Sequence, residues 1–274
     1  MQNKNIVFIG GGNMAAAIIG GLVSSGWNRA NISVVELLPE RRAFIETEFS
    51  VGTTEHLQPA LSNADVVVLA VKPQSFQAVA ESVRDAISSD FPLILSVAAG
   101  IEIQHAVSWM NCEPAMIRVM PNTPALINKG VSGLFANAKA SAEDCDLAES
   151  IMQSVGSVVW VESEPLIDSV TAVSGSGPAY FFRLMELMIE QAQVHGLNKS
   201  QAHELVVQTA IGAANLAGVS DHSPGTLREQ VTSPNGTTQA ALEAMNTNGI
   251  ETCIHSAVDA AVARSKSLAA ELGG

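Results

Sequence analysis

Ile6-Val-Phe-Ile-Gly10-Gly-Gly12-Asn-Met-Ala15-Ala-Ala-Ile-Ile-Gly20-Gly-Leu22 decides the fold, because a continuously apolar run turns without a spacer into a helix of small residues. Ile6–Ile9 has the character of a strand covered on both faces, and Gly10, Gly12 and Ala15 supply the Gly-x-Gly-x-x-Ala form of a dinucleotide fingerprint. Gly10 permits the tight turn. Gly12 lets backbone approach a pyrophosphate with no Cβ between them, and Ala15 lets the helix lie close on the sheet. The free N–H groups of Asn13, Met14 and Ala15 and the positive dipole end of the helix then face the phosphates. A signal peptide or membrane span would also begin with Lys4 and an apolar run, but Gly10–Gly12, Asn13 and Gly20–Gly21 make a poor insertion segment. A second strand, Ile32-Ser-Val-Val-Glu36, follows at the spacing of a βαβ unit.

Working outward, Glu36 closes that strand where an acid would reach the ribose hydroxyls of NAD; the competing reading is a solvated charge at a strand end. Pro39 starts the next helix, which places Arg41 and Arg42 close by. Ala64–Val71 is an apolar run that stops at Lys72-Pro73, so Ala70, Val71, Lys72 and Pro73 are expected at the carboxyl edge of the sheet as cofactor contacts. Leu93–Val97 ends in Ala98-Ala99-Gly100, and Ala115–Val119 ends in Met120-Pro121-Asn122. Four strands thus end in glycine, proline or small residues on one side, which favours a ligand crevice with Ala98, Ala99, Met120, Pro121 and Asn122 on its rim. Gly130–Ala136, a helix over Ala142–Val155 and Gly156–Val161 complete the expected sheet.

Beyond Glu162-Ser-Glu-Pro165 no strand-like run appears. Helices are expected over Tyr180–Val194, Ser200–Ala217, Thr226–Val231, Gln239–Asn246 and Ile250–Ala270. Their alanines allow close helix contact but cannot build a deep core within one copy, which predicts a homodimer through this half. The expected architecture is therefore α/β: a Rossmann-type domain over residues 1–163, then an all-α dimerisation and substrate domain over 164–274. Two stretches in the helical half exceed the needs of a connector: Ser174-Gly175-Ser-Gly-Pro178, and Ser233-Pro-Asn-Gly236-Thr237-Thr238, where Thr237 or Thr238 is expected to cap a helix. Both open helices, as a carboxylate held by backbone N–H groups would require.

The chain of 274 residues has 47% hydrophobic content, a formal net charge of −13 and a pI near 4.8. An acidic surface without a basic run argues against nucleic acid as a partner. Cys112, Cys145 and Cys253 lie far apart, and the six histidines form no ligand pattern, so neither a disulfide framework nor a metal site is expected. A reducing cytoplasm and no membrane association fit. There is no Ser-His-Asp set, no Gly-x-Ser-x-Gly elbow and no standout carboxylate pair. The reaction is expected to lean on its cofactor, and hydride transfer asks the protein chiefly to bind, orient and desolvate.

Gly10–Met14, Ala70-Val-Lys-Pro73, Ser96-Val-Ala-Ala-Gly100, Arg118-Val-Met-Pro-Asn-Thr-Pro124, Val173-Ser-Gly-Ser-Gly-Pro-Ala-Tyr180 and Thr232–Thr238 together resemble pyrroline-5-carboxylate reductase over nearly the whole chain. The resemblance implies reduction of the imino acid 1-pyrroline-5-carboxylate to L-proline by NADP(H) or NAD(H). It further implies interlocked C-terminal helices, with rings of dimers in some members. By resemblance Thr238 hydrogen-bonds the imine nitrogen, and Ser233 with the N–H groups of Thr237 and Thr238 holds the carboxylate; Gly236, Ser174 and Gly175 belong to the same substrate site. Two departures stand out: Asn235-Gly236 where the family commonly has Gly-Gly, and Glu36 where many members carry a small polar residue. A reductase of the same build for another imine or keto acid remains open, as does an NAD(P)-sensing protein, although a sensor needs no Ser233–Thr238 site.

Overall fold

Every residue of Ile6–Ile9 is buried, and this strand, β1, lies inside an eight-stranded sheet of the computed structural model, which describes residues 4–87 and 91–273. Residues 1–3 and 274, the outer ends of the two expected domains, fall outside the described residues, as do residues 88–90. Helix α1 (Asn13–Ser24) leads to β2 (Ile32–Val35), α2 (Pro39–Phe49), β3 (Gly52–Thr54), α3 (Leu57–Leu61) and β4 (Val66–Leu69). There follow α4 (Phe76–Ala86), β5 (Leu93–Ser96), α5 (Ile103–Met110) and β6 (Met116–Met120), then β7 (Gly130–Ala136), α6 (Ala142–Gln153) and β8 (Gly156–Trp160). The strand order is β3-β2-β1-β4-β5-β6-β7-β8, parallel throughout except between β6 and β7. The order reverses between β1 and β4, the point at which open α/β sheets bind ligands beyond their carboxyl ends.

Alternation of side chains divides the core into two layers. Phe8, Ile6 and Val34 face Ile18, Ile19 and Leu22 of α1. Val7, Ile9, Val67 and Ile94 face Phe76, Ala80 and Val83 of α4 and Ile103 and Ala106 of α5. β3 and α3 are absent from the sequence reading because Gly52-Thr53-Thr54 is a short, half-exposed edge strand with no apolar signal.

The remainder is helical: α7 (Leu166–Val170), a π turn over Thr171–Gly175, α8 (Gly177–Val194), α9 (Lys199–Val219), α10 (Pro224–Gln230), α11 (Thr237–Thr247) and α12 (Ile250–Gly273). Two compact units result. The first contains residues 1–176 and 261–274, the second residues 177–260, so the division falls past the expected residue 163 and the last turns of α12 return to the first unit. Within that unit Ser265 of α12 donates a buried hydrogen bond to Asp168 of α7 at 2.6 Å, and Leu268 and Leu272 pack beside Gly100. In the second unit α8 and α9 form the main packed pair, and its buried apolar side chains are Ala202 and Val206. No helix among the described residues is long and apolar enough to cross a membrane.

Candidate functional site

The turn after β1 is built by two glycines with different tasks. Gly10 has φ +95°, and a Cβ there would stand 2.7 Å from the carbonyl oxygen of Ala70 on the neighbouring strand's end. Gly12 has ordinary extended geometry as the N-cap of α1, and a Cβ there would meet nothing within 4 Å. The second glycine is thus unnecessary for the protein's own packing, as expected where a ligand must lie against backbone. Behind it Ala15 is fully buried against the sheet, and the first N–H groups of α1 at Asn13, Met14 and Ala15 have no intrahelical partner.

A crevice of about 720 Å³ opens at this point. Its lining includes Gly10, Gly12, Asn13, Glu36, Ala70, Val71 and Lys72, all expected from the sequence. Among the described residues nothing pairs with the Lys72 ammonium, which leaves a cation on the crevice wall. The sequence reading overlooked Leu37, Leu38, Glu55, Leu57, Ser75, Val79 and Ser82 in the same lining. Leu37 and Leu38 are 74% and 52% exposed, an apolar wall suited to the face of an adenine ring, and a Leu-Leu pair directly after the strand-ending acid was the available signal.

Glu36 lines the crevice with both carboxylate oxygens engaged by backbone. Oε2 accepts from Gly11 N–H at 2.7 Å and Oε1 from Leu38 N–H at 2.9 Å. Arg41 completes the brace, donating through Nε to the Gly11 carbonyl at 2.9 Å while its guanidinium lies 4.9 Å from the centre of the Phe44 ring. Gly11 is held by acid and base at once. Arg42, paired with Arg41 in the sequence reading, points elsewhere: it donates to the carbonyls of Glu36 and Leu37 and sits 3.4 Å from Glu55.

The other rim candidates fall outside that crevice lining. Pro73 opens a short 3-10 turn after Lys72, while Ala98 and Ala99 follow β5, and Met120 ends β6 with Pro121 directly after it, at the same carboxyl edge. Asn122 is buried with its amide bridging segments: it donates to the Ser174 carbonyl at 3.1 Å and accepts from Val131 N–H at 2.9 Å. Gly175 lies against Met120, where a Cβ would come 2.6 Å from the methionine methyl. The structure therefore brings Met120–Asn122 and Ser174–Gly175 together within the first unit.

Ser233, Gly236, Thr237 and Thr238 lie in the second unit, at the start of α11. Here one expectation is corrected, because Gly236 is the N-cap and Thr237 and Thr238 are the first two helical residues, with no side-chain cap. A tight turn enforces this: Asn235 adopts φ +59°, Gly236 N–H donates to the Ser233 carbonyl at 3.0 Å, and Gln239 reaches back to accept from Asn235 N–H at 2.8 Å. Asparagine thus fills the left-handed position that the departure from Gly-Gly demands. The threonine hydroxyls are left for another use.

Burial pushes the thiols of Cys112 and Cys145 up from their usual range, away from thiolate character. Among the described residues no three His, Cys, Asp or Glu side chains gather as a metal site.

Residues 5–100 match a family model described as NADP oxidoreductase, coenzyme F420-dependent, and residues 164–268 match pyrroline-5-carboxylate reductase dimerisation. The pyrroline-5-carboxylate reductase of Pseudomonas aeruginosa is 45% identical over 273 residues, covering 100% of both chains, and that of Vibrio alginolyticus is 40% identical over 98% of each. A solved pyrroline-5-carboxylate reductase from Coxiella burnetii superposes with a TM-score of 0.93 at 41% identity, covering 97% of this chain and 98% of that one. The Plasmodium falciparum pyrroline carboxylate reductase, solved with NADP bound, superposes at 0.86 with 26% identity over 98% of this chain and 99% of its own. With a dinucleotide crevice at its switch point and full-length kinship on both sides of it, the chain belongs to the pyrroline-5-carboxylate reductase family.

Proposed function

We infer that the protein reduces 1-pyrroline-5-carboxylate to L-proline with NAD(P)H, the last step of proline biosynthesis. The observation that carries the reading is the crevice at Gly12 and Lys72 in a chain whose full length matches reductases of this substrate. Gly12, the N–H groups opening α1 and the Lys72 ammonium suit a pyrophosphate, and Leu37 and Leu38 suit the adenine. Ala98, Ala99, Met120 and Pro121 are assigned to the nicotinamide half. When bound, the reduced nicotinamide supplies the hydride that C5 of the imine accepts.

The protein's own residues hold the substrate. Thr238 is assigned to hydrogen-bond the imine nitrogen, whose protonated form is the one reduced, so that the N–H is retained in proline. Ser233 and the N–H groups of Thr237 and Thr238 hold the carboxylate, which the free first turn of α11 favours. Gly236 keeps the turn closed, its N–H donating to the Ser233 carbonyl at 3.0 Å. Purified protein should consume nicotinamide absorbance only when pyrroline-5-carboxylate is added; no consumption with either cofactor would refute the reading. Thr238→Ala should lower kcat by roughly 10- to 100-fold, the value of about 1.5–3 kcal/mol for a hydrogen bond to a charged group, while the KM for cofactor stays put. Unchanged turnover would remove Thr238 from the mechanism.

Cofactor choice is set by Glu36 and Arg41 in this reading. A like charge near 4 Å costs about 4 kcal/mol at an effective dielectric of about 20, before screening, so the Glu36 carboxylate disfavours the 2′-phosphate of NADPH. Arg41 offsets part of that penalty from the same wall. Both cofactors should support turnover. Glu36→Ser should raise the NADPH-to-NADH ratio of kcat/KM by about tenfold, Arg41→Ala should lower it, and Arg42→Ala, outside the crevice, should leave it unchanged. A ratio within twofold of the parent for Glu36→Ser would make Glu36 a loop brace only.

The same reading makes the protein a homodimer and a cytoplasmic enzyme, as its three widely spaced cysteines suit a reducing compartment.

A further inference from the structure

The loop after β5, Val97–Glu102, carries Ala98 and Ala99. Val97 N–H donates to the Leu69 carbonyl at 3.1 Å, and Ala98 and Ile101 are buried, which holds the near end and the middle of the loop; its far end is held from beneath. Arg118 of β6 is 4% exposed, and its Nη1 donates to Glu164 Oε1 at 3.0 Å; Glu164 is 19% exposed. The same carboxylate oxygen accepts from the N–H of Ile103, at 2.7 Å, where the loop enters α5. Arg118 is register-paired with Ser96, the last residue of β5, so the strand that carries it runs beside the loop's other end. One carboxylate therefore ties the far end of the loop to the strand beside its near end.

A buried ion pair is a poor means of adding net stability, because desolvation cancels much of the attraction. Its geometric effect is large, since a charge-assisted hydrogen bond to backbone N–H allows one loop position. We propose that Arg118 and Glu164 are positioning residues for the nicotinamide half of the cofactor, acting through Ile103 on the Ala98-Ala99 loop. This rests on the assignment of that loop to the nicotinamide. Neither residue lines the crevice at Gly12, where the adenosine and pyrophosphate are placed. Their loss should therefore separate the two halves of the cofactor.

The test uses the full-length protein and two ligands. Glu164→Ala should weaken NADH and NADPH binding about tenfold while ADP-ribose and its 2′-phosphate bind within twofold of the parent. Glu164→Gln, which keeps an acceptor for Ile103 N–H, should restore most of the affinity, with a residual loss of about threefold. If Glu164→Ala does not fold, that graded loss in Glu164→Gln, confined to the intact dinucleotides, decides alone. Equal losses for dinucleotide and ADP-ribose, or no loss for either, overturn the proposal. Ala99→Leu serves as the control on the loop. Should it weaken NAD(P)H selectively while Glu164→Ala and Glu164→Gln do not, positioning fails and the loop assignment stands; should Ala99→Leu have no effect on NAD(P)H, the assignment fails and the proposal with it.

Discussion

Gly10→Ala should both destabilise the protein and weaken cofactor binding at least tenfold, whereas Gly12→Ala should do only the second. At Gly10 an L-residue is forced to φ +95°, and its Cβ falls 2.7 Å from Ala70 O, backbone that belongs to the end of a buried strand and cannot rotate aside. Holding such a conformation costs about 1–3 kcal/mol before the clash is counted, so a total of about 2–4 kcal/mol is expected, a fall in Tm of roughly 5–15 °C. Relief of the clash would move the turn and with it the start of α1. Gly12 meets neither constraint, since its φ is −67° and its Cβ direction is open. Its alanine variant should melt within about 2 °C of the parent, yet bind NADH and NADPH at least tenfold more weakly, a loss of about 1.4 kcal/mol or more. Calorimetry and cofactor titration on the two variants check this. A Gly12→Ala protein with parental affinity would mean that the pyrophosphate does not approach the start of α1.

The contrast also shows what could be read from the chain and what could not. Strands buried on both faces announce themselves as apolar runs, so β1, β4, β5 and β6 and the residues ending them were legible, and with them the edge where the crevice lies. Local signals stop where partners are distant in sequence. Glu36 was recognisable as a strand-ending acid, but its hold on Gly11 N–H depends on β2 lying beside β1. Arg118 stands in an apolar strand 46 residues from Glu164, and no spacing rule links them. Helical periodicity marked Ile250–Ala270, yet it says nothing of where a helix end packs, and residues 261–274 return to the first unit. At α11 propensity misled, because threonine is a good cap in isolation while the Asn235-Gly236 turn had already supplied the cap position. The two Ser/Gly/Thr helix starts stood out in the sequence as candidate carboxylate sites, but the individual roles given to Ser233, Thr237 and Thr238 came only through family resemblance, since such a helix start also has an ordinary explanation as a cap.

That return of α12 changes how the dimer should be tested. Residues 1–163 alone would lack Asp168, Ser265 and the leucines beside Gly100, so such a fragment would report on missing packing as well as on lost association. The full-length chain is the better subject. Within residues 177–260 the buried apolar side chains are Ala202 and Val206, while Phe181 and Phe182 are 65% and 63% exposed and Leu184, Leu187 and Met188 share the same helix in an exposed state. A unit with that balance cannot offset its chain entropy from its own interior, which is what a dimerisation domain lacking its partner should look like. Burying one phenylalanine stabilises by about 1.5–3 kcal/mol, and a two-fold axis uses each residue twice, so Phe181→Asp should weaken the dimer by about 3–6 kcal/mol, or roughly 10²- to 10⁴-fold in Kd. Because Phe181 is exposed in the isolated chain, the first unit should keep its fold and its affinity for ADP-ribose. Sedimentation velocity across a concentration series would show the parent as a dimer or larger assembly and Phe181→Asp as a monomer at micromolar concentration. A parent chain that sediments as an active monomer, or a Phe181→Asp variant with unchanged Kd, would place the association surface elsewhere on the second unit or remove it.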